Sequence, residues 1–279
     1  MGTRMMTAVW GGLGELRFEP TGKRIRAFLG TTPVVDSFRA VLVWEPRRVV
    51  PCYAVPREDI QAELLPSAEG TDPPAEDAGK SLPEVSAMPV LTPHDPFQVH
   101  STDGRAFDLR TADQTRRAVA YELSDPDLDG YLNLDFNGFD QWLEEDERIV
   151  AHPRDPFKRI DMRRSSRRIR VELNGTVLAD SDRSLMVFET GLPVRYYLPR
   201  EDVRTTLHPT STQSSCAYKG QASYWSVDVS DRTVEDLAWS YPEPLPDAAA
   251  LVDLVCFFDE KVDVVVDGVK RERPVTPWS

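Results

Sequence analysis

The chain says nearly the same thing twice, and that repetition limits its architecture before any local pattern is weighed. Asp36-Ser37-Phe38-Arg39-Ala40-Val41-Leu42-Val43-Trp44-Glu45 returns as Asp180-Ser181-Asp182-Arg183-Ser184-Leu185-Met186-Val187-Phe188-Glu189. Tyr53-Ala54-Val55-Pro56-Arg57-Glu58-Asp59-Ile60 returns as Tyr196-Tyr197-Leu198-Pro199-Arg200-Glu201-Asp202-Val203. Internal repetition of this kind implies two related units in one polypeptide. Each has roughly 100 to 160 residues, enough to bury its own core.

Local patterning is that of strands. Ile25, Ala27 and Leu29 alternate with less apolar neighbours, as do Ile169, Val171 and Leu173. Asn174-Gly175 then supplies the two-residue turn whose positive φ suits those residue types, so a hairpin is expected there. After each tyrosine block, Pro-Arg-Glu-Asp places proline and acids where a short helix would begin. Leu132, Leu134 and Phe136 read as a later strand, answered by Val252, Leu254 and Cys256, with Phe139-Asp140 answered by Phe258-Asp259. The expected organisation is an N-terminal extension (1–23), a first repeat (24–151), a junction (152–166) and a second repeat (167–279). Pro56 pairs with Pro199, 143 positions on, but His100 pairs with Cys216, only 116 on, so the first repeat carries 27 more residues. They fall in a proline-rich, acidic stretch, 66–93, that reads as a flexible insertion.

Charge and cysteines exclude several classes. A net charge of -13 opposes nonspecific nucleic-acid binding, which rests on lysine and arginine neutralising phosphates. Cys52, Cys216 and Cys256 are too few and too scattered for a disulfide framework, which suits a reducing cytoplasm. No apolar run approaches the ~18 residues of a membrane helix, and no signal-peptide pattern opens the chain. The four histidines are too dispersed to suggest a zinc site, so no metal and no cofactor is expected. Asp125-Pro126-Asp127-Leu128-Asp129-Gly130 imitates the start of a calcium loop, but Phe136 stands at position 12 in place of glutamate, and a turn is expected instead. The arginines of 163–170 read as a solvated stretch paired with the acids of 144–147.

The run Trp142-Leu143-Glu144-Glu145-Asp146-Glu147-Arg148, then His152-Pro153-Arg154-Asp155-Pro156-Phe157, then Phe188-Glu189-Thr190-Gly191-Leu192-Pro193, resembles tandem members of the family catalogued as domain of unknown function 427. Cys216-Ala217-Tyr218-Lys219-Gly220 is similar to that family's Cys-Pro-Tyr-Lys-Gly motif, with Ala217 at the proline position. Tyr224-Trp225-Ser226 and Ala238-Trp239-Ser240-Tyr241 match its later aromatic motifs. The first repeat departs further, with His100 where Cys216 stands and Val119 aligned with Trp239. The resemblance implies a mainly β fold of two tandem tent-like domains built from antiparallel sheets, each with a short helix, and no zinc. The family also carries a nucleotidyltransferase label. The chain, however, has no Gly-x-x-x-x-Gly-Lys-Ser/Thr loop, no Gly-x-Gly-x-x-Gly, and no Gly-Ser opening followed by spaced aspartates.

Candidate chemistry concentrates in the second repeat. Glu189, closing an apolar strand as Glu45 does, suits a general base if burial raises its pKa; it suits equally a structural anchor for a loop or for Arg195. Cys216, beside Tyr218 and Lys219, suits an activated thiol, a pocket wall or a packed side chain, and His208 is the nearest histidine that could serve as its base. Tyr196, Tyr197, Tyr218, Trp225 and Trp239 suit either pocket walls or core, with Lys219 offering a charge to a carboxylate or phosphate. Glu45, Tyr53 and His100 are the corresponding first-repeat positions. The leading expectation is therefore a monomeric, cytoplasmic small-molecule-binding protein, its two repeats forming an internal pseudo-dimer, with no nucleic-acid or membrane partner. The alternative is a hydrolase or transferase using Glu189 as base with Cys216 or Tyr218 assisting. A purely structural interaction module is a third reading.

Overall fold

The computed structural model describes residues 2–68, 78–82, 85–230 and 232–279. The chain divides into two compact units, Met1–Asp155 and Pro156–Ser279. The first contains β1 (Arg17–Pro20), β2 (Ile25–Leu29), β3 (Thr32–Ser37), β4 (Val41–Trp44), β5 (Cys52–Pro56), β6 (Glu63–Pro66), β7 (Gly104–Arg110), β8 (Thr115–Leu123), β9 (Tyr131–Leu134), β10 (Gln141–Glu144) and β11 (Glu147–Ile149). The second contains β12 (Ile160–Ser165), β13 (Ile169–Leu173), β14 (Thr176–Ser181), β15 (Ser184–Glu189), β16 (Arg195–Pro199), β17 (Leu207–Cys216), β18 (Gly220–Val229), β19 (Arg232–Ser240), β20 (Leu254–Phe257), β21 (Asp263–Val266) and β22 (Val269–Lys270).

Each unit is a seven-stranded and a four-stranded antiparallel sheet, and the strand orders coincide. The large sheets run β1-β4-β5-β9-β8-β7-β6 and β12-β15-β16-β20-β19-β18-β17; the small ones run β11-β10-β2-β3 and β22-β21-β13-β14. The molecule is therefore mainly β, two similar domains with only short helices. β1 lies in the stretch read as an N-terminal extension and β12 in the stretch read as a junction, yet they are equivalent edge strands, β1 on β4 and β12 on β15.

Alternation assigns the faces. In β4, Leu42 and Trp44 join a core with Ile25, Val35 and Trp142 of the small sheet, whereas Val41 and Val43 join a separate cluster with Ala54 and Tyr121. In β15, Met186 packs with Ile169 and Val264, while Leu185 and Val187 pack with Tyr197 and Trp239. Successive side chains point to opposite faces, so each large sheet buries an inner face against its small sheet and an outer face beneath loops.

Several local expectations hold. Asn174 and Gly175 both have positive φ (51° and 81°) between β13 and β14. Pro-Arg-Glu-Asp opens only a single 3-10 turn in each domain, Arg57–Asp59 and Arg200–Asp202. Asp125 caps a similar turn by accepting from the Asp127 N–H at 3.0 Å. Others need correction. β9 ends at Leu134, and Phe136 begins a turn. Tyr121 pairs with Asn133 where Trp239 pairs with Cys256, so Tyr121, not Val119, occupies the tryptophan's position and Asn133 that of Cys256. Ala118 and Asp236 sit at equivalent bulges with φ of 47° and 46°, and the sequence alignment slips because the loops that follow differ in length, 124–130 in the first domain and 241–253 in the second. Four of the five arginines of 163–170 pair within their own domain, not with the acids of 144–147: Arg163 with Asp161, Arg167 with Asp267, Arg168 with Asp180 and Arg170 with Glu172.

Part of the insertion, 69–77 and 83–84, lies outside the described residues. The described part is not simply solvent-facing. Lys80 bridges Val90, Arg48 bridges Leu91, and Leu82 and Val90 are buried with Leu13.

Candidate functional site on the outer face of the second large sheet

The residues selected from sequence fall on both faces. Tyr196 belongs to the inner core, with Trp225 packed against it, while Tyr197 and Trp239 belong to the outer cluster with Cys216 packed against it. Tyr196 and Tyr197 are adjacent in a strand and cannot share a face. Trp225 is further committed as a structural residue, its Nε1–H donating to Ser240 Oγ at 3.0 Å and its ring lying 4.2 Å beneath the Arg200 guanidinium. Tyr53 likewise belongs to the inner core of the first domain and donates to Glu144 at 2.7 Å.

The outer face gathers the ionisable groups. Cys216 and Gly220 face each other across the β17–β18 hairpin, leaving Ala217, Tyr218 and Lys219 as its loop. Gly220 has φ of 94°, and a Cβ there would lie 3.2 Å from the Glu243 carbonyl oxygen, so the turn requires glycine. The turn aims Lys219 at Glu189, whose carboxylate accepts from Nζ at 2.5 Å, with side chains only 8% and 4% exposed. Lys219 is thus committed to Glu189 and is not the free cation expected for a carboxylate or phosphate. Tyr218 is buried, its ring 6.0 Å from Lys158 Nζ.

Arg195 does not pair with Glu189. It forks onto Glu260 at 2.9 and 2.5 Å, stands 3.9 Å from Asp259, and faces the rings of Trp239 and Trp278 at 5.6 and 5.7 Å. Thr276 also donates to Glu260. Burial pushes both carboxyls up, but the bidentate guanidinium holds Glu260 below its ordinary value, while Asp259, outside that fork, is pushed up to about 7. Arg195 itself is raised: burial opposes its charge, and Glu260 and Asp259 more than offset it. Burial likewise raises the Tyr197 and Tyr241 hydroxyls, with Glu189 adding to both, and the Cys256 thiol. Trp239 Nε1–H donates to Tyr197 Oη at 3.0 Å, and Tyr224 Oη lies 2.8 Å from Ser214 Oγ.

One face therefore holds two buried cations against three carboxylates, with phenols and thiols between them. Fully buried ions cost several kcal/mol each even when paired, so such a cluster is not what packing alone would select. His208, considered as a base for Cys216, sits at the opposite end of β17, roughly 25 Å away by strand rise, and is held by Asp228 at 3.0 Å. Sequence reasoning missed Glu260 and the role of Asp259. Their only signal is two adjacent acids directly after the apolar run Val255-Cys256-Phe257-Phe258.

The equivalent face of the first domain is built differently. Glu45 accepts from the Ser101 N–H at 2.9 Å and lies 3.0 Å from His100 Nδ1, and His100 stacks on Tyr121 with ring centroids 3.4 Å apart. Glu45 is thereby saturated as a loop anchor, as the structural reading of that position anticipates.

Residues 161–268, spanning the strands from β12 to the turn before β22, match the model of a family described as a domain of unknown function (DUF427). No curated protein matches the chain. Among the described residues, no helix is long and apolar enough to cross a membrane.

Proposed function

We propose that the chain is a tandem pair of such domains and that its second domain binds a small molecule on the outer face of the large sheet. The observation that carries this reading is the buried constellation of Glu189–Lys219 and Arg195–Glu260 beside Asp259, Tyr241 and Cys216. Evolution tolerates such desolvation most readily where the charges serve a ligand. Because each cation already has a carboxylate, the favoured ligand is neutral and polar or carries an amine, with Asp259 as its partner and Trp239 and Tyr224 as apolar walls. Three free thiols agree with a reducing, cytoplasmic setting. The test is the mass of freshly purified protein measured native and denatured. A discrete extra mass, lost on unfolding and missing from Glu189→Gln/Lys219→Met, supports the site; an extra mass retained by that variant places the ligand elsewhere.

A second reading, a hydrolase or transferase acting on a small metabolite, is favoured by one observation: Asp259 is buried yet stands outside the Arg195–Glu260 fork, and that burial pushes its carboxyl up to about 7, which suits a general acid or base near neutrality. Glu189, bound by Lys219, suits that role less. Turnover of a pooled metabolite extract that disappears in Asp259→Asn supports catalysis, and unchanged pools in wild type leave binding alone.

A further inference from the structure

The stretch after β22 turns back onto the charged cluster. Pro274-Val275-Thr276-Pro277-Trp278 repeats the Pro-x-x-Pro-aromatic pattern of Pro153-Arg154-Asp155-Pro156-Phe157, which follows β11 in the first domain. It forms no strand, and its own turn closes it: the Thr276 N–H donates to Ser279 Oγ at 2.8 Å and the Ser279 N–H to the Thr276 carbonyl at 3.1 Å. Side chains seat this turn on the domain. Arg273 reaches Asp263 at 3.0 Å, the Thr276 hydroxyl donates to Glu260, and the Trp278 ring faces the Arg195 guanidinium at 5.7 Å. Thr276 is 6% exposed beside a Val275 that is 54% exposed, so the segment is a surface strap with its inner side laid on the Arg195–Glu260 pair.

Those anchors depend on one charge balance. A single guanidinium serves two carboxyls, with Glu260 in its fork and Asp259 3.9 Å away. While Asp259 carries its proton, Arg195 and Glu260 neutralise each other, and a ring and a hydroxyl can cover them at little cost. Once Asp259 ionises, the buried cluster holds one negative charge too many. Arg195 is then drawn away from Glu260 and Trp278, and the uncompensated carboxylate needs water that a covering ring excludes. No other group facing Asp259 supplies the missing charge: burial keeps Cys256 on β20 and Tyr196 on β16 protonated, while Arg167 and Arg271 act on Tyr196. Burial pushes Asp259 up to about 7, so the change falls near neutrality.

We propose that the segment 271–279 is a proton-controlled strap, docked on Arg195 and Glu260 while Asp259 is protonated and lifted from them when Asp259 ionises. The coupling is reciprocal: docking raises the proton affinity of Asp259 by excluding water, and protonation tightens the strap by the same factor. The remaining anchor, Arg273 on Asp263, is a half-exposed ion pair and too weak to hold the segment down alone. The strap therefore closes the outer face of the second domain in acid and opens it above neutrality. As regulation of that site the inference rests on the small-molecule reading above; the movement itself does not, and is measured without a ligand.

The test follows the Thr276 methyl group and the Asp259 carboxyl carbon of the full chain by NMR from about pH 5 to about pH 9, in wild type, Asp259→Asn and Trp278→Ala. In wild type the methyl resonance should move from a docked to a random-coil position with a midpoint of about 7, together with the Asp259 carboxyl signal. In Asp259→Asn it should stay docked throughout. In Trp278→Ala the Asp259 midpoint should fall by about one pH unit, a tenfold loss of proton affinity, because the cover is gone. A methyl resonance that does not move in wild type, the same transition in Asp259→Asn, or an unchanged Asp259 midpoint in Trp278→Ala overturns the proposal. If Asp259→Asn does not fold, the wild-type titration and Trp278→Ala decide.

Discussion

Asp259 and Glu260 are neighbours of the same charge, and a single guanidinium gives them opposite protonation behaviour. Arg195 aligns both its terminal nitrogens with Glu260 and leaves Asp259 at 3.9 Å. Moving a carboxyl from 3.8 to about 7 costs its ionised form about 4 kcal/mol. The folded pKa lies above the unfolded one, so between pH of roughly 4 and 7 the native state holds a proton the unfolded chain has lost, and this group's contribution to stability declines as pH rises through that window. Asp259→Asn removes the decline. Urea unfolding across pH should show the variant gaining on wild type by up to about 4 kcal/mol above pH 7 and by almost nothing at pH 4. The Lys219–Glu189 pair behaves differently, because each partner compensates the other's buried charge. Lys219→Met should cost about 3 to 5 kcal/mol by stranding a buried carboxylate, and adding Glu189→Gln should recover most of that. Equal stability of the single and double variants in the same unfolding experiment would show that the pair is not coupled. The sequence made Glu189 and Lys219 visible as candidates but not as partners, because they stand 30 positions apart and the turn of the β17–β18 hairpin brings them together.

The repeated motifs have a structural cause at the level of strands and turns. Ser181 Oγ–H donates to Asp202 at 2.6 Å and accepts from the Arg183 N–H at 3.0 Å, while the Arg183 guanidinium reaches Asp202 at 2.7 Å. Ser37, Arg39 and Asp59 repeat the network with contacts of 2.6, 3.1 and 2.7 Å. The Asp-Ser-x-Arg and Pro-Arg-Glu-Asp echoes are thus two halves of one clasp between the end of a small-sheet strand and a 3-10 turn. Their repetition records architecture, not chemistry. Burial opposes the charge of Asp202, but Ser181 and Arg183 hold it below its ordinary value. Ser181→Ala should cost about 1 to 2 kcal/mol near neutrality, and thermal melts should show that cost shrinking as acid protonates Asp202. Alternation made the strands legible, and the Asn174-Gly175 turn with them. It did not reveal which alternating set faced the small sheet, since both faces of each large sheet are apolar. For that reason Tyr196 and Tyr197 entered the candidate set together, although the strand separates them.

As a whole, the molecule is two similar domains, each with its own inner core and its own outer cluster. Trp142→Ala, which empties a fully buried position in the first domain, should cost that domain about 3 to 5 kcal/mol. Hydrogen exchange should show protection falling in β2, β4 and β10 and unchanged in β13, β15 and β21; a matching fall in both domains would mean that they unfold as one. The two-domain β architecture was legible because repeats and alternation are local properties of the chain. The site was legible only in part: its charges come from β15, β16, the 217–219 loop and the residues after β20, and no spacing rule links them. The measurement that bears most directly on the proposed site is a crystallographic soak of the full chain with a library of small neutral and amine-bearing fragments. The account predicts fragments seated on the second domain's outer face, bonded to Asp259 or to the Glu189–Lys219 pair and packed on Trp239. Fragments found only elsewhere, with that face unvisited, would contradict it.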